Sequence, residues 1–199
     1  MSRRAPGDPA TQAAALNKVE TEAERMSGLV EDLLLLARLD AGRPLRHEPV
    51  DVTRLLIESV SDSRVLGPAH HWRLDLPSVA VEAVGDEERL RQVVRNLLEN
   101  ARRHTPEGTT VVVSARRGAT PTTPVEITVT DDGPGFDPAL LPVAFDRFTR
   151  GDAARTRGQG GGSGLGLSMV RAILTAQGGT VSLASRPGET RLTLQLPAA

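Results

Sequence analysis

The sequence predicts an α+β fold, a two-layer sandwich with a mixed sheet packed on helices, preceded by an N-terminal helical stalk. Three observations predict it. Apolar residues recur at heptad spacing through the first part of the chain. After residue 50, short alternating stretches are interleaved with stretches at helical spacing. The 199 residues suffice for one domain plus an appendage, and no internal repeat divides them.

The stalk is predicted as one helix over about 10–41. Leu16, Val19, Ala23, Met26, Val30, Leu33 and Ala37 are spaced 3, 4, 3, 4, 3, 4, the seam of a coiled coil or helix bundle. Leu29, Leu34 and Leu36 widen that stripe, which favours a bundle. Gly42 and Pro44 stop it. The helix needs an apolar partner, either its own domain or, as the stronger expectation, a second chain. Asp51 or Thr53 then caps a short helix carrying Leu55, Leu56 and Val60. Trp72, Leu74 and Leu76 alternate as a strand, and 79–84 form another. Asp86 caps a helix that runs to about His104 and is ended by Thr105-Pro106. Residues 109–116 and 124–131 read as a hairpin pair. The Gly-, Pro- and Arg-rich stretch 133–164 reads as a long loop. A helix follows over about 164–177, stopped by Gly178-Gly179. Strands near 180–185 and 190–196 flank the turn Arg186-Pro187-Gly188-Glu189. The expected division is the stalk region, 1–48, and the sandwich region, 49–199.

Composition excludes several classes of function. A net charge of −1 gives no footprint for nucleic acid or an anionic membrane surface. The absence of cysteine removes disulfides, thiolate metal sites and a cysteine nucleophile. No apolar run reaches the roughly 20 residues that cross a bilayer, and the first residues lack a secretory apolar core. The expectation is a cytoplasmic location. The three Phe fall together at 136, 145 and 148, as a local anchor.

Four motifs carry chemistry. On the predicted helix 86–104, Leu90, Val94, Leu97, Leu98 and Ala101 make an apolar face. Gln92, Asn96, Asn100 and Arg103 make a polar one. Two asparagines one turn apart are poor helix formers, and their amide oxygens suit Mg²⁺. The strand Val125, Ile127, Val129 ends at Asp131 on the same face. An inward Asp131 would bring a carboxylate into an apolar pocket, where an adenine amino group could donate to it; an ordinary Asp-Gly turn is the alternative. The run Gly158 to Gly166 opens a helix, where backbone N–H groups and the helix dipole favour phosphate; a flexible linker is the alternative. It is neither a Walker loop nor a dinucleotide fingerprint. Between these lie Phe145-Asp146-Arg147-Phe148-Thr149-Arg150, where two Phe can anchor a loop and two guanidiniums can reach phosphate.

In this order and spacing, Asn96-Leu97-Leu98-Glu99-Asn100-Ala101, Asp131-x-Gly133-x-Gly135, Phe145-x-x-Phe148 and Gly162-x-Gly164-x-Gly166-Leu167 resemble the catalytic ATP-binding domain of sensor histidine kinases, in the GHKL ATPase superfamily. The stretch Glu22 to Asp40 resembles the second helix of that family's dimerisation hairpin. The resemblance implies ATP and Mg²⁺ as cofactors. It implies Asn100 as the main Mg²⁺ ligand with Asn96 supporting it, Arg103 near the phosphates, and His104 lining the adenine pocket. Asp131 would accept from the adenine amino group, with Gly133 and Gly135 giving space. Arg147 and Arg150 would approach the terminal phosphates from the lid. Gly162, Ser163, Gly164, Leu165 and Gly166 would cradle phosphate.

The sequence departs from the family in one respect. The family's phosphoacceptor sits in a His-Glu-x-x-Arg-Thr-Pro-Leu setting, and none of His47, His70, His71 and His104 has it. The expectation is a split or truncated kinase, beginning after the histidine-bearing helix. It would dimerise through the stalk with a histidine-bearing partner and pass phosphate on to a response regulator. Two alternatives stand beside it. One is a regulator that binds ATP and pairs with another kinase without transfer. The other is a superfamily ATPase or serine kinase. Those members keep Glu one turn before the Mg²⁺-binding Asn, where this chain has Asn96, and Glu99 lies roughly 100° around the helix from Asn100.

Overall fold

A computed structural model describes residues 9–118, 120, 122–149 and 163–199. For residues 9–12, 14, 15, 21, 24 and 25 it describes the backbone alone. The stalk is a helix, α1 (Pro9–Asp40), closed by Gly42 in the left-handed conformation at φ 68°. A strand β1 (Glu48–Asp51) follows, with Val50 buried. Asp51 then caps α2 (Val52–Leu66) by accepting the Arg54 N–H at 2.9 Å. Strands β2 (His71–Asp75) and β3 (Glu82–Gly85) precede α3 (Glu87–His104). The hairpin strands are β4 (Thr110–Arg116) and β5 (Val125–Asp131). The chain ends in α4 (Gly166–Ala176), β6 (Thr180–Arg186) and β7 (Glu189–Leu196).

Five strands form a mixed sheet in the order β2-β4-β5-β7-β6. The β2–β4 pair is parallel and the other three pairs are antiparallel. A second, two-stranded sheet pairs β1 with β3. Alternation along the strands sends one face inward. Val111, Val113 and Ala115, Val125, Ile127 and Val129, and Leu192, Leu194 and Leu196 all point into the core. Leu55, Leu56 and Val60 of α2, Leu90, Val94, Leu97 and Leu98 of α3, and Met169, Ile173 and Leu174 of α4 cover them. The other sheet face is lined with Ser114, Thr128, Thr130 and Thr193, each half-buried. The architecture is the expected two-layer sandwich.

Two elements depart from the sequence reading. β1 lies between the stalk and α2, where the sequence reading places no element. The predicted strand 79–84 begins only at Glu82, and Val79 is exposed.

The stalk divides between two faces. Leu36 is 1% exposed inside the common core, and Leu29, Leu35 and Leu39 pack against that core. On the same side, Asp32 accepts a long hydrogen bond from Gln92 of α3 at 3.4 Å. Burial raises the pKa of Asp32, opposed by the charge of Arg95 and supported by that of Glu31. The heptad seam lies elsewhere: Leu16 is 69% exposed and Met26 58%, and Val19, Val30 and Leu33 are exposed too. Part of the helix is therefore docked on its own domain, while the coiled-coil seam faces away from it.

Candidate nucleotide site

The site is built on α3. Asp86 fixes the helix start: its carboxylate accepts the Arg89 N–H at 3.2 Å, and its own N–H donates to the buried Gln177 side chain at 2.7 Å. Glu87 and Glu88 in the first turn and Arg102, Arg103 and His104 in the last complement the helix dipole. With the apolar face buried, the polar stripe looks away from the core. Asn96 and Asn100 lie on it, both half-buried. Their amides have no hydrogen-bond partner among the described residues. Two half-buried amides left open on one face of a helix suit a ligand brought from outside.

Glu99 is engaged differently. It accepts from Arg102 at 2.7 Å and also pairs with Arg103. Burial raises its pKa, and the two arginine hydrogen bonds outweigh that and hold the carboxyl below its ordinary value. A carboxylate so neutralised is a poor proton acceptor. Arg103 turns toward Glu99, on the exposed end of the helix, with the exposed His104 beside it.

At the end of β5, Asp131 is inward and 8% exposed, as its alternation with Val125, Ile127 and Val129 predicts. Its Oδ1 accepts the Gly133 N–H at 3.0 Å. Burial pushes its pKa up, the Gly133 bond pulls it down, and the neighbouring Asp132 charge pushes it up again, for a net rise. Gly133 has no room for a side chain: a Cβ there would lie 2.7 Å from Thr105 Cγ2 and 2.8 Å from Asp131 Oδ1. Gly135, at φ 85°, lets the backbone pass Arg186, whose carbonyl oxygen would sit 2.7 Å from an added Cβ.

The third part is the start of α4. Among the described residues no side chain caps this helix, and a Cβ at Gly166 would meet open space. Its first N–H groups are thus left without a side-chain cap, an arrangement that suits an anion. Ser163 Oγ accepts the Leu165 N–H at 3.2 Å, and Leu165 is buried below. Gly164, at φ 73°, lets Phe148 cross closely, with the Phe148 N–H donating to its carbonyl at 2.9 Å. Phe145 packs on the core beneath the Arg171 guanidinium, 5.9 Å from the ring centre. Arg147 pairs with Asp40 at the end of α1, at 2.6 Å. Arg150 and Gly162 lie outside the described residues.

A profile of the histidine kinase-, DNA gyrase B- and HSP90-like ATPases matches residues 85–199, the whole of this site. The chain belongs to that family. Relatives of this chain include the probable sensor histidine kinase TcrY of Mycobacterium tuberculosis, 49% identical over 197 residues, covering 99% of this chain and 41% of the relative. The sensor histidine kinase TrcS of the same organism is 46% identical over 191 residues, covering 95% of this chain and 37% of the relative. The chain thus spans about two fifths of the length of these relatives. Among solved structures, full-length ShkA in complex with AMPPNP aligns with all of this chain and 41% of its own, with a TM-score of 0.74 at 26% identity. The ATP-binding domain of PrrB from Mycobacterium tuberculosis aligns with 77% of this chain and 98% of its own, with a TM-score of 0.61 at 32% identity. Among the described residues, no helix is long and apolar enough to cross a membrane.

Sequence reasoning did not find Thr105, His70 or Gln177. Thr105 ends α3 and touches Gly133, His70 bonds Thr105, and Gln177 holds the start of α3. Their partners lie 28, 35 and 91 residues away, beyond the reach of any local pattern.

Proposed function

We propose that this chain binds Mg-ATP between α3, the Asp131 turn and the start of α4, and delivers the γ-phosphoryl group to a histidine carried outside its 199 residues. The observation that carries the reading is the pair of partnerless, half-buried amides of Asn96 and Asn100. The residues present fit the group. The amide oxygens of Asn96 and Asn100 would offer Mg²⁺ neutral oxygen ligands beside those of the phosphates. Bound Mg²⁺ would supply charge neutralisation at the phosphates.

Asn100 holds the metal position and Asn96 supports it. Asp131 accepts from the adenine amino group, and Gly133 keeps its Oδ1 oriented. The open N–H groups at the start of α4, with Gly162, Ser163, Gly164, Leu165 and Gly166, hold phosphate. Arg147 and Arg150 serve the terminal phosphates, which requires Arg147 to leave Asp40. Arg103 and His104 border the same end of α3. Residues 1–48 act as a dimerisation region and 49–199 as the catalytic one. The partners are a histidine-bearing kinase subunit and, downstream, a response regulator, in the cytoplasm.

Water or serine as acceptor would require a carboxylate base. Asn96 stands where that base would be, and Glu99 is neutralised by two arginines. Incubating the chain with γ-labelled ATP and Mg²⁺ tests the proposal. The expected result is no label on the chain alone, and acid-labile label on an added polypeptide bearing a phosphoacceptor-histidine helix. Release of inorganic phosphate at a comparable rate without acceptor, or acid-stable label, would overturn it.

A further inference from the structure

His70 lies just before β2, 9% exposed, in a part of the chain to which the proposed chemistry gives no role. Its Nε2 is 3.0 Å from Thr105 Oγ1. The Thr105 hydroxyl has one proton and donates it to the Ala101 carbonyl at 2.7 Å. It must therefore accept from His70, which fixes the ring as the Nε2–H tautomer. Nδ1 is then a bare acceptor, buried without a partner among the described residues. An unpaired buried acceptor is costly. A phenyl ring would fill the same space beside Trp72, whose ring centre is 5.8 Å away, without that cost. The imidazole gains one thing a phenyl cannot, the hydrogen bond to Thr105.

That bond reaches the base end of the site. With Oγ1 held between the Ala101 carbonyl and His70, Thr105 has its side-chain rotation fixed. Its Cγ2 methyl is then set against Gly133, close enough that a Cβ there would lie 2.7 Å from it. The Gly133 N–H in turn holds Asp131 Oδ1. We infer that His70 is a positioning residue for adenine recognition, acting through Thr105 and Gly133 on the Asp131 carboxylate. The inference rests on the reading of Asp131 as the acceptor for the adenine amino group.

The test compares Mg-ATP with the nucleotide that lacks only the 6-amino group, purine riboside triphosphate. Each displaces a fluorescent ATP analogue from the full chain, and the ratio of the two affinities is the readout. In His70→Phe, which keeps the ring and removes the donor, the preference for ATP falls about five-fold, within the range of coupling between contacting residues. His70→Gln, whose amide can donate to Thr105, restores it. On an Asp131→Asn background, His70→Phe changes the ratio no further, which a merely structural role would not produce. Should His70→Phe not fold, as judged by circular dichroism, Thr105→Val breaks the same link from the other end and should give the same fall. An unchanged ratio in the folded variant overturns the inference while Asp131 stands. A wild-type chain that does not prefer ATP over the analogue overturns the Asp131 reading, and this inference with it.

Discussion

Helices α1 and α3 carry apolar stripes of similar make, and the structure uses them in opposite ways. The α3 stripe, from Leu90 to Ala101, is buried throughout, and its polar face is left with two open amides. The α1 seam, from Leu16 to Ala37, is exposed, and a different set of leucines docks on the domain. An apolar stripe states that a face seeks burial; it does not say against what. A polar face is more informative when its groups lack partners, because such groups gain nothing from the fold itself.

The largest effect that separates the two helices is expected at Leu36. Replacing it with Ala empties a filled place in the core and should cost about 3 kcal/mol in urea unfolding, in the range for buried leucine truncation. Met26→Glu or Leu33→Glu on the outward seam should leave the unfolding midpoint in place and lower only the mass seen by sedimentation, if the seam joins a second chain. A seam variant that unfolds as early as Leu36→Ala would erase the distinction between the faces. Asn100→Ala should weaken Mg-ATP binding by about 100-fold, at the upper end for a lost contact around a metal, without changing stability. Unaltered Mg-ATP affinity would remove the basis of the site.

Asp131 should show a smaller, pH-dependent effect. Its pKa is raised in the folded chain. Between the unfolded and folded values the folded state holds the extra proton, so stability declines as pH climbs through that window. Asp131→Asn should abolish this dependence while removing the preference for the 6-amino group; a retained slope in its unfolding-versus-pH curve would assign it to another carboxylate. The smallest effect belongs to the ion pair between Arg147 and Asp40, both about half exposed. Asp40→Asn should change stability by less than about 1 kcal/mol, as exposed pairs do. A larger loss in thermal unfolding would make this bridge a structural fastening of the stalk.

Much of this fold is legible in the sequence because periodicity reports burial directly. The runs Val125 to Asp131 and Thr190 to Leu196 alternate as written, and the inward face of β5 delivers Asp131 where the pattern predicts. β1 escapes because it has four residues, one of them Pro49, and a single buried side chain, Val50. β3 is read too early because Val79 looks apolar in sequence but meets no sheet partner. In the site, Asn96, Asn100 and Asp131 stand out as residue types that their elements do not need. Thr105 and His70 do not, since a threonine after a helix and a histidine before a strand are unremarkable until they meet. The resemblance implies a place near the phosphates for Arg103, and in this structure its guanidinium pairs with Glu99, one turn back.

The position of β5 has a consequence of its own. It lies between β4 and β7, paired with β7 over its full length and with β4 from Glu126 to Asp131. Its amides should therefore be among the slowest in the chain to exchange with deuterium, opening only when the sheet comes apart. The carboxylate proposed to read the base thus hangs from one of the stiffest parts of the molecule. Telling one purine from another would then require little ordering at the moment of binding, and the selectivity should persist with warming until the sheet itself unfolds.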